Sequence, residues 1–404
     1  MIVKDASYIN KLNKIEILKI IRDSESTSRA EIVKIAKLSA PTVTRIVDSL
    51  VQMELVKIVG DGNSTGGRPP KMLKFDGSNA YVVGIDLGAT SIRGAISNLN
   101  GDIIIEVETQ TDLSGGFEKI CIQINQIVDK LKLRSKLDDS KIQGIGIAVA
   151  GLINFENGII EYSPVFNWSK VDLRQELKKH ISLPIIYDNA SRVTAFGELL
   201  QGHGRQFKNF IFVNAGYGIG SGIVVDGKPF YGHKGFSGEF GHIILNAESE
   251  YVGKDGLRGS LESLSSGYAI AEIAKQKVSD YPNSIILEKV NGKIEDISAK
   301  IVVQSAKEMD NLAMQIFEEA MKYFGIGLDA LIKLFDPEAI ILTGGLTKNG
   351  DIFFDKLKEN MVLNQFKQLE REVKILPSSF GEDASLVGAL SIILDRVFQF
   401  ELTQ

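Results

Sequence analysis

A single cysteine, Cys121, is all the thiol chemistry this sequence offers. One thiol cannot build an internal disulfide framework or a metal site that needs several thiolates, and such scarcity suits a reducing cytoplasm. Long apolar runs are missing too. No stretch of about 18 apolar residues appears, so no membrane helix is expected. The opening MIVKDASYIN lacks the apolar segment of a secretory signal. What remains is ordinary globular material, 44% hydrophobic and 24% charged. Its 404 residues suggest two or three domains at roughly 150 residues each. The net charge of −5 is unevenly spread. Residues 1–78 hold 13 Lys and Arg against 9 Asp and Glu, a net of +4, so the rest of the chain carries −9. A small basic segment on an acidic body suggests an anionic partner for the N-terminus, with nucleic acid the leading candidate.

Residues 11–58 read as three short helices. The second opens with Ser28-Arg29-Ala30-Glu31, a capping-box spacing, and Ile32, Ile35 and Ala36 share one face. Pro41 suits the first turn of the third helix. There Val43, Ile46, Val47, Leu50 and Val51 recur at i, i+3, i+4, i+7 and i+8, one buried stripe. The opposite face offers Thr42, Thr44 and Arg45 near its start, as a recognition helix requires. A plain three-helix bundle accounts for the stripe but not for LVKIVGDGNSTGGRPPKMLKF, residues 55–75. There two β-rich pieces flank a glycine-rich turn with Arg68 and Lys71, a basic wing suited to phosphate or a narrow minor groove. Residues 1–78 therefore read as a winged helix-turn-helix DNA-binding domain, with a protein-docking module as the competing reading.

From Tyr81 the pattern changes. YVVGIDLGATSIRGAISNLNGDIIIEV is a buried strand, a glycine turn, a strand, an Asn100-Gly101 turn and a third strand. FIFVNAGYGIGSGIVVDGKPFYG, residues 210–232, repeats the plan, with Asn214 and Gly216 matching Asp86 and Gly88. Two such units suggest an internal duplication and a nucleotide clamp. Its loops would use Asp86, Gly88 and Thr90, then Gly216, Gly218 and Gly220, then Gly344 and Gly345 of IILTGG. The expected fold is α/β, a two-lobed actin-like (ribonuclease H-like) ATPase fold behind the winged helix. Its lobes are placed at 79–190 and 191–404, with a C-terminal helix at about 386–400 packing back on the first lobe.

These segments resemble the ROK family of sugar-responsive repressors and sugar kinases. GGRPPKML is similar to the repressor branch, GIDLGATSIRGAI to the first phosphate loop, GIGSGIVVDGKPFYGHKGFSGEFGH to the second loop and sugar signature, and IILTGG to the adenosine loop. The resemblance implies sugar contacts from Gly151, Asn189, Glu239, His242 and Glu262. Trp168 reads as a core aromatic ahead of a sugar neighbour.

Three departures stand out. The family's zinc site uses the histidine of GEFGH and three cysteines, whose places hold Gly253, Asp255 and Ser260 here, so no structural zinc is expected. Tyr217 stands inside the second phosphate turn, where a bulky ring crowds the γ-phosphate unless it points out of the cleft. No cofactor is therefore expected, and ATP binding is in doubt. Counting from AFGE, the general-base column of the family kinases falls on Ala190, a methyl, with Asp188 only a weak candidate for a catalytic base. The sequence therefore points to a cytoplasmic transcriptional regulator, of the repressor type, that binds a monosaccharide without phosphorylating it. Its partners are operator DNA and the sugar, and it works as a homodimer or larger homo-oligomer with no membrane association. Two alternatives are a sugar kinase with a DNA-binding arm and a regulator answering to a protein partner.

Overall fold

The structure is a computed structural model that describes residues 6–62, 69–361 and 372–401. The N-terminal unit comprises α1 (Ala6–Asp23), β1 (Thr27–Ser28), α2 (Arg29–Ala36), α3 (Ala40–Gln52) and the wing strands β2 (Val56–Asp61) and β3 (Lys71–Phe75). The capping box forms: Glu31 N donates to Ser28 Oγ at 3.2 Å, and Ser28 N donates to Glu31 Oε2 at 2.7 Å. Ser39 caps α3, with Pro41 in its first turn. Val43, Ile46, Val47 and Leu50 are fully buried and Val51 half-buried. Ile35 departs from expectation at 59% exposed, because so short a helix turns only Ile32 fully inward. The third helix also stops at Gln52, short of residue 58. The β-branched run from Val56 pairs with β3 instead, and the sheet order is β1-β3-β2.

The first lobe follows with β4 (Tyr81–Leu87), β5 (Ser91–Asn98), β6 (Ile103–Gln110), α4 (Gly116–Ser135) and β7 (Ile142–Val149). It continues through β8 (Leu152–Asn154), β9 (Ile159–Ser163), β10 (Trp168–Val171), α5 (Leu173–Leu177), β11 (Ile185–Asn189) and α6 (Ala190–Gln201). The second contains β12 (Phe210–Ala215), β13 (Ile219–Val225), β14 (Lys228–Pro229), α7 (Leu261–Ser265), α8 (Gly267–Lys277), α9 (Ile285–Lys289), α10 (Ala299–Lys307) and α11 (Asn311–Phe335). It closes with β15 (Ala339–Thr343), α12 (Asp351–Asn360), β16 (Lys374–Pro377) and α13 (Ala384–Arg396).

The duplication is plain in the sheets. One runs β11-β7-β4-β5-β6, the other β16-β15-β12-β13-β14. In each, an antiparallel hairpin with a glycine turn extends into a third strand, and two later strands join in parallel. This is the two-lobed actin-like architecture that the repeated strand–turn–strand unit predicts. Trp168 lies in the first lobe's core, 3% exposed, stacked at 4.6 Å on Phe166 and edge-on at 5.0 Å to Phe117.

The lobes exchange helices. The helix after the first sheet, α6, packs on β12 and β13 of the second, while α13, from the chain's end, packs on β4 and β7 of the first. The two cross against each other between the sheets. Glycines make the crossing close: a Cβ on Gly388 would lie 2.5 Å from Val193 O, and one on Gly197 would lie 3.0 Å from Gly388 Cα. Beyond the crossing, α13 and the π-helical turn that continues it (Val397–Glu401) enter the winged-helix core. Leu390, Ile393, Leu394, Val397 and Phe398 share one buried cluster with Ile17, Leu18, Ile21, Leu50, Leu73 and Phe75.

Candidate functional site

The α3 face opposite the buried stripe presents Thr44 and Arg45 to solvent and Thr42 half-buried. Thr42 Oγ1 lies 2.8 Å from the capping Ser39 Oγ. Arg45 donates to Asn10 Oδ1 of α1 at 2.6 Å, which holds the guanidinium near the helix start. Lys71 pairs with Asp61 at 2.8 Å across the base of the wing. Arg68 lies outside the described residues.

Between the lobes lies a cavity of about 380 Å³. Of the anticipated phosphate-loop residues, Asp86, Gly88, Gly344 and Gly345 line it, together with Ala190, Ser191, Asn214 and Lys348. Thr90, Gly216, Gly218 and Gly220 do not. Thr90 is exposed on the turn, and Gly216 is folded into its own loop by a 3.1 Å bond to Gly218 O. Gly218 backs onto Glu262 and Gly220 onto Ser191. Asp86 accepts a hydrogen bond from Ser385 Oγ at 2.6 Å. Burial raises its pKa, and that hydroxyl offsets part of the rise. Lys348, the cation on the wall, is paired with Glu382. Tyr217 points away from the cavity: it is 62% exposed, lies 5.5 Å from the Tyr268 ring, and carries Lys254 Nζ over its face at 5.4 Å.

At the strand end that leads into α6, three neighbouring residues part company. Asp188 turns to Arg192, which binds its carboxylate through Nε at 2.8 Å and Nη2 at 2.5 Å. Arg192 is itself buried, donates Nη1 to Gly235 O at 3.0 Å, and lies over the Tyr231 ring at 4.7 Å. Asp188 is thus committed to an ion pair and does not line the cavity. Asn189 caps α6, its Oδ1 accepting from Ser191 N and Arg192 N, while Nδ2 donates to Gly151 O at 3.0 Å. One amide N–H remains for a ligand. Ala190, the first helical residue, faces the cavity with a methyl.

Glu239, His242 and Glu262 form a second group. His242 Nδ1 lies 3.0 Å from Glu239 Oε2, and Nε2 lies 3.2 Å from Asp255 Oδ2. The hydrogen bond to Glu239 raises the His242 pKa; burial opposes it, and the Asp255 and Glu262 charges add to it. Glu262 Oε2 accepts Ile219 N at 2.7 Å. Burial raises its pKa, with Ile219 N and the His242 charge pulling it back. Candidate ligand atoms of His242, Asp255 and Glu262 lie within 4.8 Å of one another. They are one nitrogen and carboxylate oxygens, without the thiolates that a Cys-rich structural zinc needs. Both His242 nitrogens already face carboxylates, so the residues do not fit that metal.

Sequence reasoning missed Arg192, Asp255, Ser385 and Glu198. Glu198 is fully buried and accepts from His203 N, Ser378 Oγ, Ser379 N and Ser379 Oγ at 2.7–3.0 Å. It ties α6 to the loop before α13. An Asp and an Arg at i, i+4 across a strand–helix junction was the one signal in the sequence that could have exposed the Asp188–Arg192 pair.

Comparison with known proteins gives two family matches: the ROK family model over residues 82–396 and the MarR family model over residues 11–57. The xylose repressor of Caldicellulosiruptor bescii is 29% identical over 394 residues, 98% of each chain. A ROK family transcriptional regulator, described as a homolog of the E. coli MLC protein, superposes with a TM-score of 0.83 at 23% identity, over 98% of both chains. The ROK family glucokinase from Streptomyces griseus, solved with glucose and AMPPNP, gives a TM-score of 0.69 at 26% identity. That match covers 78% of this chain and 99% of the kinase.

Proposed function

The chain belongs to the ROK family, and from that premise we propose that it is a sugar-responsive transcriptional repressor of carbohydrate-utilisation genes. It reads operator DNA through α3 and the wing and binds a monosaccharide between the lobes without phosphorylating it. The observation that carries this reading is the shared core. The helix that crosses α6 beneath the cleft ends inside the hydrophobic core of the winged helix. Phe398 meets Phe75 edge-on at 5.7 Å, and Arg22 of α1 lies over the Phe398 ring at 4.9 Å. A shift of one lobe on the other moves α6 against α13, and α13 cannot move without disturbing the DNA reader. Effector and DNA are then coupled through one element with differential contacts in two states.

The sugar contacts in this reading are the carboxylates of Glu239 and Glu262 and the second amide N–H of Asn189, with Gly151 against the ring. Neighbouring hydroxyls are paired donors, and carboxylates accept two at a time. Catalysis is absent because Ala190 offers no proton acceptor and Asp188 is consumed by Arg192. Two-fold operators match a homodimer or larger homo-oligomer working in the cytoplasm. Its relative's name makes D-xylose the first sugar to test.

Fluorescence anisotropy with DNA flanking the chain's own gene, titrated with D-xylose, D-glucose and N-acetylglucosamine, tests the proposal. One sugar is expected to change DNA affinity. A protein that binds DNA equally with and without every sugar refutes it. The second reading, a sugar kinase, draws on the cavity framed by Asp86 and the glycine loops, and sugar-dependent ADP release would establish it.

A further inference from the structure

We propose that Arg192 is a positioning residue for the sugar cleft: it clasps a strap of the second lobe, residues 231–235, onto the first lobe and so sets the span between Asn189 and Glu239. The inference rests on the reading of the cleft as a sugar site. The strap leaves β14, touches the first lobe and returns to Glu239. Where it touches, Phe155 N donates to Lys234 O at 3.2 Å, and the Phe155 and Tyr231 ring centroids lie 5.3 Å apart. Gly235 comes closer still. Its φ is +93°, and a Cβ there would lie 2.5 Å from Ile153 O and 3.2 Å from Phe155 N. Glycine is what lets the two backbones approach this closely. The strap is also closed on itself: Ser237 Oγ donates to Phe230 O at 2.6 Å, and Ser237 N to Tyr231 O at 3.3 Å. Gly238 O then accepts from Ser221 Oγ of β13 at 2.9 Å. The strap thus ties the wall that carries Glu239 to the first lobe at a set distance.

Arg192, in the first turn of α6, stands at the centre of this seam. Its Nε and Nη2 bind the Asp188 carboxylate at the end of β11, at 2.8 and 2.5 Å. Its Nη1 donates to Gly235 O at 3.0 Å, and the guanidinium lies over the Tyr231 ring at 4.7 Å. One planar group therefore holds the first lobe's strand end, the strap's backbone and the strap's aromatic ring together. Asn189 adjoins Asp188, and Glu239 follows Gly235 by four residues. Both halves of the proposed sugar site hang from the same clasp.

The guanidinium supplies more here than a charge. A lysine would match the Asp188 charge. As a compact donor on a flexible stem, it could not fork the carboxylate, reach Gly235 O and lie flat on the Tyr231 ring together. The Arg192 and Asp188 side chains are 4% and 14% exposed, so water is poorly placed to replace a lost bond. Losing the fork frees the strap from Ile153 and Phe155, and the wall with Glu239 swings away from Asn189. A sugar bridging the two sides must then restore the span itself, and its affinity falls by that cost.

The test combines hydrogen exchange of the full-length protein, read by mass spectrometry, with calorimetry. The Phe155 amide donates across the seam, so its exchange reports whether the strap is seated. Arg192→Lys keeps a cation beside Asp188 and should melt close to wild type. Its peptide bearing Phe155 should exchange roughly tenfold faster, while peptides from β4 and β12 keep their wild-type rates. Calorimetry with D-xylose, D-glucose and N-acetylglucosamine should show that the sugar bound by the wild type binds roughly tenfold more weakly to the variant. A second variant, Asp188→Asn with Arg192→Met, leaves no buried charge unpaired and should show the same two losses. Unchanged Phe155 exchange in both variants overturns the inference. So does faster exchange with undiminished sugar affinity, and so does equal acceleration of the β4 and β12 peptides, which would make the pair a plain support of the fold. Phe155 exchange that quickens as expected, in a protein whose wild type binds none of the sugars, upholds the clasp and refutes the sugar-cleft reading instead.

Discussion

Gly388→Ala tests whether the crossing of α6 and α13 carries the signal from the cleft. The new Cβ would lie 2.5 Å from Val193 O, 2.7 Å from Val193 C and 2.9 Å from Thr194 N. All three are backbone atoms of α6, so no flexible side chain can swing aside. Restoring an ordinary contact needs a separation of about 3.4 Å, so the helices must part by nearly 1 Å. Overpacking of this kind costs about 1–3 kcal/mol, while exchanging Gly for Ala inside a helix returns about 1 kcal/mol. With rigid backbone on both sides the clash wins, leaving a net loss of up to about 2 kcal/mol and a Tm lower by up to about 4 °C. The residues proposed to meet the sugar are untouched, so sugar affinity by calorimetry should stay within about twofold of wild type. DNA anisotropy should show a weakened or lost response to sugar. A variant with wild-type Tm and an undiminished sugar response would refute the crossing as the coupling element.

Three further outcomes follow from single sites. Ala190→Asp places a carboxylate at the first helical position of α6, where an acid stabilises by about 0.3–1 kcal/mol, and points it into the cavity; sugar-dependent ADP release should appear where the wild type shows none. Wild-type turnover as fast as the variant's would end the non-catalytic reading. Asp86→Asn keeps an oxygen for the Ser385 hydroxyl and removes a charge that burial disfavours. Since burial raises the folded-state pKa, the carboxyl's favourable contribution exists at acid pH and is lost as pH rises through that value. The variant should therefore melt higher than wild type at about pH 7.5, with the gain shrinking toward about pH 5; an equal difference at both refutes the assignment. Cys121 is buried and its thiol is pushed up to about 12 by burial first of all. DTNB should find no thiol in the native protein and one in denaturant, and rapid reaction of the native chain would contradict that burial.

Local periodicity carried much of the reading. The capping box at Ser28, the stripe on α3 and the repeated strand–turn–strand units are near-neighbour patterns, and a sequence displays those directly. The correspondence of the two sheets, strand for strand, was implicit in the duplicated turns of Asp86-Gly88 and Asn214-Gly216. What stayed hidden depends on residues far apart in the chain. Nothing local says that α6 packs on the second sheet, or that Ser385 meets Asp86 across 299 positions. Asp255 was noticed only as a missing cysteine, and its approach to His242 depends on a hairpin folding back. Ile35 was misplaced because three residues advance a helix by 300°, enough on a two-turn helix to carry a side chain off the buried face.

The proposed separation of binding from chemistry has a structural logic at the start of α6. Asn189 cannot change freely, because its Oδ1 caps the helix and its Nδ2 holds Gly151 O; replacing such a cap costs about 1 kcal/mol. Glu262 is similarly tied to the fold through Ile219 N at the start of β13. These two proposed sugar contacts thus also serve the backbone that positions them. Ala190 has no such duty. Its side chain is a methyl on the cavity wall, and a carboxylate there would be needed for proton transfer alone. Asp188, one residue before the cap, is bound to Arg192, whose remaining bond goes to Gly235 O in the other lobe. Its charge joins the lobes and does not enter the cavity. On the proposed reading, a cleft arranged this way keeps its grip on a ligand as long as it folds, whereas its chemistry hangs on one position that folding does not protect.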